Sequence, residues 1–403
     1  MLCLHSNPLG RLGTRDTGGM SVYVTELAAG LADRGHRVDV YTAAPSPGAG
    51  VLRPGVRIVQ VTPWSGPPPS KDAFYPLLPA VWDAVEDRRL AEGTGYDLVH
   101  SHYWLSAVVG AWAARAWSAP HVVTFHTLGA VKAALGGGEP GVRLRCEAEV
   151  ARRCDRIVVP SLREARHLAA HCGVDRGRVA VIPCGVDLDR FRPGDRSAAR
   201  RALGLPPGVP VVLYVGRFAE LKGIDRLVQA VSLLPSEVRL VLVGGDGQED
   251  PERNRLARLA EDLGLAGRVR FAGRVDHRAL PPYYRAADVL VLPSLYESFG
   301  LVVLEALACG TPVVTTPVGA VEQVVRPGLT GEIAADASPG ELARCIRRVL
   351  DRGRCPPGVV RDSVRGLSWR SVAAAVEGEY AALVGGGHPS GEPLRAAAGE
   401  GAP

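Results

Sequence analysis

The chain has 403 residues, of which 46% are hydrophobic, so it can bury the cores of two or three domains. Its formal net charge is only +5 and no run of Lys or Arg forms a basic patch, which argues against nucleic-acid binding. The start of the chain lacks a signal-peptide pattern, and no apolar run reaches the roughly 18–20 residues that span a bilayer. We therefore expect a cytoplasmic protein without a transmembrane segment.

The eight cysteines occur singly along the chain, and no two of them have the C-x-x-C spacing of a zinc or redox site. Because disulfides are rare in reducing compartments, we interpret them as free thiols. The cysteine pattern therefore predicts no metal site.

Short runs of apolar residues alternate with helical patterns along the chain, which is typical of parallel α/β domains. The run at 2–5 is short for a strand of a doubly wound sheet, where about 5–6 residues are usual. We therefore expect either a start codon upstream of Met1 or an unusually short first strand. The strands predicted in the first half are at 2–5, 38–42, 56–61, 98–101, 121–125, 156–160 and 179–182.

A segment rich in charged residues, Pro and Gly interrupts this pattern at 185–196, and we predict the linker between two domains there. Two Rossmann-like, doubly wound domains in tandem bind ligands in the cleft that the carboxyl ends of their strands share. The second series of predicted strands is at 211–215, 239–243, 269–271, 289–292 and 312–315. The predicted divisions are a first domain at 1–190, a second domain at 191–367, a helix at 368–384 that returns to the first domain, and a disordered tail at 385–403.

A glycine pair, Gly18 and Gly19, opens the first clear helix after the first loop. Glycines at a helix start leave backbone N–H groups at the positive end of the helix dipole, which can hold a diphosphate. Asp16 and Thr17 could instead only cap this helix. The chain contains neither the dinucleotide G-x-G-x-x-G pattern in this loop nor a Walker A sequence elsewhere.

Two cations, Arg217 and Lys222, follow the strand predicted at 211–215, where side chains converge on the expected cleft. They suit a diphosphate leaving group, because they neutralise negative charge as it develops. The alternative interpretation is that both are solvated surface charges.

Two carboxylates, Glu297 and Glu305, follow the strand predicted at 289–292. Carboxylates accept hydrogen bonds from the hydroxyl groups of sugars and ribose. Glu305 stands among apolar residues of a predicted helix, so its charge needs a partner or a ligand unless it lies on an exposed helix face.

His126 follows the strand predicted at 121–125 in the motif TFHTL, and the segment HSHYW at 100–104 ends the strand before it. Taken alone, such a histidine is more often a packed core residue. Its position at the carboxyl end of a strand favours the cleft instead.

Together these segments resemble the family-4 retaining glycosyltransferases of the GT-B fold. The resemblance covers 5–331 and rests on DTGGM at 16–20, HSHYW, HTL, PCGVDLDRF at 183–191, VGR…LKG and ESFGLVVLEALACGTPVV. The D-[ST]-G-G-M loop is similar to that of the mycothiol-pathway inositol-phosphate N-acetylglucosaminyltransferases, with sucrose-phosphate synthases as cousins.

The resemblance implies that the first domain binds the acceptor and the second domain binds the nucleotide sugar. The implied catalytic residues are His126, Arg217, Lys222 and Glu297. The implied donor-binding residues are Gly18, Gly19, Arg217, Lys222, Glu297, Ser298, Phe299, Gly300, Leu301 and Glu305. The implied acceptor-binding residues are His5, Asp16, Met20, Ser21, Lys71, Tyr103, Thr127 and Arg143. Four of them, Lys71, Tyr103, Thr127 and Arg143, are expected to hold an acceptor phosphate.

Two positions depart from the pattern of the inositol-phosphate enzymes. Ser21 stands where that group usually has Asn, and Ala219–Glu220 stand where it more often has a proline. These differences leave the acceptor open: inositol phosphate is favoured, and fructose 6-phosphate or a lipid or natural-product hydroxyl are alternatives. The alternative that is not an enzyme is a catalytically idle sugar-nucleotide binder.

The resemblance further implies transfer of a hexosyl or N-acetylhexosaminyl group from a UDP-sugar with retention of the anomeric configuration. The mechanism is front-face, in which a donor phosphate oxygen takes the acceptor proton, and no carboxylate pair is expected for double displacement. No cofactor is required, and Mg²⁺ is compatible with the reaction but not implied. The expected partners are the UDP-sugar and a phosphorylated small-molecule acceptor, and the sequence leaves a homodimer open.

Overall fold

The structure, a computed structural model, describes residues 1–385 apart from 9, 11–17, 45, 47, 65–72, 246, 248 and 354. Within these residues the chain forms two sheets with helices packed on their faces. The predicted doubly wound α/β class is confirmed. The tail predicted to be disordered lies outside the described residues from 386 onward.

The first sheet is formed by the first half of the chain, and its neighbouring strands are parallel except for one antiparallel pair at the edge. The strand order is β2-β3-β1 in one part and β4-β5-β6-β7 in the other. The strands are β1 (Val38–Ala43), β2 (Gly48–Arg53), β3 (Val56–Val61), β4 (Val99–His102), β5 (His121–Thr124), β6 (Arg156–Val159) and β7 (Val179–Val181).

The first residues of the chain join the two parts of this sheet. Leu2 forms parallel bridges to Tyr41 of β1 and to Ser101 of β4. Its N–H donates to the carbonyl of His100 at 2.9 Å, and the N–H of Cys3 donates to the carbonyl of Tyr41 at 2.9 Å. The strand predicted at 2–5 is thus reduced to a bridge, because the chain turns away after Cys3.

The second sheet has six strands, all parallel, in the order β10-β9-β8-β11-β12-β13. Its central strands are buried along their whole length, as expected for a parallel sheet covered on both faces. The strands are β8 (Val211–Val215), β9 (Arg239–Val243), β10 (Val269–Gly273), β11 (Val289–Leu292), β12 (Val313–Thr315) and β13 (Gly331–Ile333).

The helices connect successive parallel strands and cover both sheets. Several begin at a side-chain cap, such as Ser161 before α6 and Asp250 before α9, which satisfies a backbone N–H group of the first turn. The helices are α1 (Gly19–Ala32), α2 (Leu78–Glu92), α3 (Trp104–Trp117), α4 (Gly129–Ala134), α5 (Gly141–Arg153), α6 (Leu162–Cys172), α7 (Arg196–Ala202), α8 (Ile224–Ser232), α9 (Pro251–Asp262), α10 (Pro281–Ala286), α11 (Leu301–Ala308), α12 (Val321–Val324), α13 (Pro339–Asp351), α14 (Pro357–Asp362) and α15 (Trp369–Val384).

The last described helix, α15, packs against α1 from the opposite end of the chain. The ring of Trp369 meets that of Tyr23 edge to face at 5.5 Å, and Tyr380 lies 2.6 Å from Nδ1 of His100. The Arg156 guanidinium pairs with Glu379 at 3.0 Å. These contacts attach α15 to the first sheet, whereas the predicted domain boundaries at 190 and 367 stay predictions.

One buried apolar cluster contains residues of both halves of the chain. Val158 and Ile182 come from the first half, and Leu213 and Leu290 come from the second. The two sheets therefore pack on each other around the cleft that lies between the carboxyl ends of their strands.

The helix α3 approaches the first sheet closely at Gly110. A Cβ at this position would lie 1.9 Å from Oγ of Ser101 and 2.6 Å from Nε2 of His121, two buried groups that hydrogen-bond to each other. We expect Gly110→Ala to reduce the free energy of unfolding by about 1–3 kcal/mol through overpacking. Thermal melts should show a lower Tm.

Gly378→Ala in α15 is the matched control, because a Cβ there meets no atom within 4 Å. It should increase stability by about 0.5–1 kcal/mol, since alanine loses less conformational entropy in a helix than glycine. A Tm of Gly110→Ala equal to or above that of the wild type would contradict the close packing of α3.

Candidate active site

A cleft of about 350 Å³ lies between the two sheets, and residues of both halves line it. This volume is within the range of pockets that hold small ligands. Most of the site residues predicted from the sequence line it: Gly18, Gly19, Met20, His126, Thr127, Arg217, Lys222, Glu297, Ser298, Phe299, Gly300, Leu301 and Glu305.

Two helix N-termini face each other across this cleft. A Cβ on Gly19, the first residue of α1, would lie 3.4 Å from Cδ1 of Leu301, the first residue of α11. Within the described part of the chain, no side chain caps either terminus. Both helices therefore direct backbone N–H groups and a partial positive charge towards the cleft, which suits an anion.

The predicted cations lie beside these termini. A Cβ on Gly18 would be 3.9 Å from Nε of Arg217, so the glycine loop and the arginine meet across the cleft. The hydroxyl of Tyr214 donates to the carbonyl oxygen of Arg217 at 3.0 Å and supports its loop. The Lys222 ammonium pairs with Glu297 at 2.5 Å. The structure thus brings two of the predicted residues into direct contact.

Glu297 has a second partner, because the hydroxyl of Ser294 donates to the same carboxylate oxygen at 2.9 Å. The ion pair with Lys222 is only partly exposed to solvent, so the carboxylate is held in one orientation. A diphosphate that binds here would compete with this carboxylate for the ammonium of Lys222.

The second carboxylate, Glu305, is buried in α11 and has two partners. Nε2 of His277 lies 2.6 Å from one carboxylate oxygen, and the hydroxyl of Tyr284 donates to the other at 2.5 Å. A charge among apolar residues was expected to need a partner, and these two provide it.

The protonation of these partners follows from their surroundings. Burial of the His277 ring opposes its charged form, but the Glu305 carboxylate outweighs burial, so the pKa of His277 is raised above 6.5. Burial and the same carboxylate raise the pKa of Tyr284 well above its usual range. The phenol therefore keeps its proton and acts as a hydrogen-bond donor.

His126 projects into the cleft from the end of β5. Its backbone has a φ of +61°, which is uncommon for a residue with a side chain and is found mainly at constrained sites. The ring packs edge to face on Tyr23 at 5.1 Å, and its Nε2 lies 3.1 Å from Nδ1 of His102. Burial lowers the pKa of His126 to about 3, so the imidazole is neutral. It can form one hydrogen bond with a ligand hydroxyl.

Arg143, predicted to hold an acceptor phosphate, lies behind the cleft with only 1% of its surface exposed. Its guanidinium pairs with Glu147 at 2.7 Å and with Glu139 at 2.6 Å. The same group donates to the carbonyl and the hydroxyl of Thr127 at 2.9 and 3.0 Å and lies 5.0 Å from the ring centre of Tyr103. The structure therefore assembles three of the four predicted phosphate residues, with Thr127 on the cleft side.

Two other predicted acceptor residues, His5 and Ser21, stand further back, whereas Met20 lines the cleft. His5 packs on the ring of Tyr103 at 4.2 Å, and the hydroxyl of buried Ser21 lies 3.0 Å from that of Ser6. Neither His5 nor Ser21 belongs to the lining of the cleft. Asp16 and Lys71 lie outside the described residues. The acceptor roles of all these residues stay predictions.

Several lining residues were not predicted from the sequence, including Gly216, Gly244, Arg274 and His277. Gly244 has a φ of +138°, and a Cβ there would lie 1.9 Å from the carbonyl oxygen of Gly216. Each residue follows the carboxyl end of a strand of the second sheet, which is the signal that could have identified it.

Two parallel, doubly wound sheets that face one cleft with converging helix N-termini and cations define the class of GT-B glycosyltransferases. The family model described as Glycosyltransferase Family 4 matches residues 17–190, and the model described as Glycosyl transferases group 1 matches residues 195–356.

Relatives agree with these models. D-inositol 3-phosphate glycosyltransferase 2 of Catenulispora acidiphila is 41% identical, over 94% of this chain and 93% of its own length. D-inositol 3-phosphate glycosyltransferase of Mycobacterium tuberculosis is 40% identical, over 96% of this chain and 83% of its own length. The chain belongs to this family of glycosyltransferases and is an enzyme.

Solved structures support the same assignment. A sucrose-phosphate synthase from Thermosynechococcus elongatus superposes with a TM-score of 0.87 at 32% identity, covering 96% of this chain and 98% of its own. Anabaena HepE, solved with UDP and glucose, shares the fold at a TM-score of 0.75 and 21% identity, covering 95% of this chain and 99% of its own.

Two features are absent from the residues that the structure describes. None of their helices has the length and apolar character needed to cross a membrane. They also include no group of three or more His, Cys, Asp or Glu side chains arranged to hold a metal ion.

The contact between His277 and Glu305 makes stability depend on pH. Because the folded state raises the pKa of His277 above its ordinary 6.5, the contact contributes fully below that value and is lost as pH rises through the folded pKa. We expect the Tm deficit of His277→Asn relative to wild type to be larger near about pH 6 than near about pH 9.

Tyr284→Phe is the control, because it removes the other partner of Glu305 but no group that titrates in this range. Its Tm deficit should be nearly the same at both pH values. A deficit of His277→Asn that does not change with pH would show that the histidine is not charged in the folded protein.

Proposed function

We propose that this enzyme is a retaining glycosyltransferase that moves a hexosyl or N-acetylhexosaminyl group from a UDP-sugar to a phosphorylated polyol, inositol phosphate above all, in the cytoplasm. The observation that carries the proposal is the convergence of two helix N-termini with Arg217 and Lys222 in one cleft. The full-length similarity to D-inositol 3-phosphate glycosyltransferases supports the acceptor.

In this proposal the second domain, 191–367, binds the donor. Arg217, Lys222 and the N-terminus of α11 take the diphosphate and neutralise the charge that develops as it leaves. Glu297 accepts hydrogen bonds from the sugar, and Glu305 accepts them from the ribose. The reaction then requires no metal ion, because the protein's own cations meet the charge of the leaving group.

Transfer proceeds on the front face of the sugar, and a donor phosphate oxygen takes the acceptor proton. Glu297 is engaged by Lys222 and Ser294, and Glu305 by His277 and Tyr284, so neither carboxylate is free to act as a nucleophile. The residues act by orientation and charge stabilisation, and neutral His126 orients the sugar at its junction with the acceptor.

The first domain, 1–190, binds the acceptor, and the residues proposed to hold its phosphate are Lys71, Tyr103, Thr127 and Arg143. Arg143 is buried, and Glu139 is the more exposed of its two carboxylate partners. An acceptor phosphate would reach the guanidinium by replacing Glu139. Planar Arg suits this exchange, because its fork matches phosphate and carboxylate oxygens alike.

The second candidate is transfer to fructose 6-phosphate. The similarity to a sucrose-phosphate synthase over nearly the whole chain favours it. A competition between inositol phosphate, fructose 6-phosphate and unphosphorylated inositol, each with UDP-sugars, tests the proposal. If unphosphorylated inositol is the preferred acceptor, the proposal of a phosphorylated acceptor is wrong. If NMR of the fresh product shows an inverted anomeric linkage, the proposal of a retaining mechanism is wrong.

Lys222→Ala removes one cation from the expected diphosphate site. We expect kcat/KM for the UDP-sugar to fall roughly 10–100-fold, since a charged hydrogen bond is worth about 1.5–3 kcal/mol. Arg226→Ala in α8, outside the lining of the cleft, is the control and should leave kcat/KM within about 2-fold. An unchanged kcat/KM for Lys222→Ala would refute this donor site.

Thr127→Val keeps the shape of the side chain and removes the hydroxyl that accepts a hydrogen bond from Arg143, on a residue that lines the cleft. We expect kcat/KM for inositol phosphate to fall roughly 10–100-fold, since a hydrogen bond to a charged group is worth about 1.5–3 kcal/mol, while that for inositol changes little. Steady-state kinetics with both acceptors measure this ratio. Equal losses for both would mean that Thr127 does not contact a phosphate.

A further inference from the structure

Tyr296 belongs to the second half of the chain but is buried in the core of the first. It lies in the loop between β11 and α11, immediately before Glu297, and only 7% of it is exposed. The apolar cluster that encloses it otherwise consists, among the described residues, of side chains from 2–179. Its ring therefore crosses the boundary between the two sheets.

The hydroxyl of Tyr296 bonds to two groups of the first half. It accepts a hydrogen bond from the backbone N–H of Leu128 at 3.0 Å and lies 3.4 Å from a carboxylate oxygen of buried Glu164. Burial raises the pKa of Tyr296 well above its usual range, so the phenol keeps its proton and donates to Glu164. The hydroxyl of Tyr296 therefore both accepts and donates a hydrogen bond across the boundary between the two halves.

Leu128 directly follows His126 and Thr127, which line the cleft. It is itself buried and is the N-cap residue of α4, and its own apolar side chain cannot cap the helix. Without the tyrosine hydroxyl its N–H would be buried and unpaired, which is costly. The loop 126–128 is therefore held in place by a residue of the opposite half.

We propose that Tyr296 is a positioning residue that sets the acceptor-side loop 126–128 against the donor-side loop 294–300. Tyr296 and Glu297 are adjacent in the chain, so one short loop contacts the Lys222 ion pair on one side and the backbone of Leu128 on the other. The position of the donor-side loop is thereby coupled to that of the acceptor-side loop. This inference rests on the proposed transfer reaction.

An exposed ion pair also joins the two halves and provides a comparison. Arg163 of α6 pairs with Glu322 of α12 at 2.8 Å, but both side chains are well exposed. Exposed pairs contribute little because water and salt screen them. Glu322→Gln therefore breaks a contact across the boundary without removing a buried hydrogen bond.

The test is Tyr296→Phe, which keeps the ring and removes the hydroxyl. We expect the Kd for UDP, measured by calorimetry, to stay within about 2-fold. The kcat for transfer should fall about 10-fold or more and the acceptor KM should rise, because the buried N–H of Leu128 is left unpaired. Donor hydrolysis per transfer should increase. Glu164→Gln should shift the same quantities in the same direction by less. Tyr283→Phe in α10 and Glu322→Gln should match the wild type.

Hydrogen–deuterium exchange with UDP bound gives a readout that needs no acceptor. Tyr296→Phe and Glu164→Gln should speed exchange in the peptide 126–134 and leave the peptide 301–308 unchanged. Unchanged exchange in 126–134, or a loss of UDP affinity with kcat preserved at saturating donor, would overturn the inference. Absence of transfer by the wild type would instead refute the proposed function, and the exchange result would still decide the role of Tyr296.

Discussion

The close approach of two helix N-termini is the constraint on which the rest of the cleft depends. The ends of α1 and α11 carry partial positive charges that repel each other, and their first residues are nearly in van der Waals contact. Arg217 and Lys222 add full charges to the same space. Negative charge stabilises such an arrangement, and Glu297 supplies part of it through its ion pair with Lys222. A bound diphosphate would add more, so an anionic ligand is expected to stabilise the folded protein.

This constraint explains why glycines stand at several points of the lining. Gly18 and Gly300 precede the two helices, and Gly300 has a φ of +91° that a residue with a Cβ would adopt only with strain. Gly244 approaches the carbonyl of Gly216 too closely for any side chain. The glycines therefore let N–H groups come within reach of an anion from several directions. Many of the side chains that line the cleft are apolar, and a small number of charged and hydrogen-bonding groups stand among them.

The positions of most strands along the chain could be predicted because buried parallel strands are continuous apolar runs. The bounds predicted at 56–61, 239–243 and 289–292 coincide with those of β3, β9 and β11. The strands β2 and β13 could not be predicted in this way. β2 is an exposed antiparallel edge strand with two glycines in GAGVLR, and β13 has three residues whose place is set by the contact of Gly331 with the backbone of Val313. Both strands exist through pairing with a neighbour and not through their own composition.

In the candidate site, too, the sequence predicted where residues lie but not which residues pair with each other. Motifs at strand ends predicted which residues would line the cleft, because parallel strands all end at one edge. They did not predict that Lys222 would pair with Glu297, 75 residues away, or that Glu305 would be held by His277. These pairings decide what each group can do. A carboxylate that already holds a cation orients a ligand hydroxyl without acting as a nucleophile, and a guanidinium with two carboxylates, as in Arg143, accepts a phosphate only if one of them gives way. The chemistry of the cleft therefore depends on which of these internal pairs a substrate can replace.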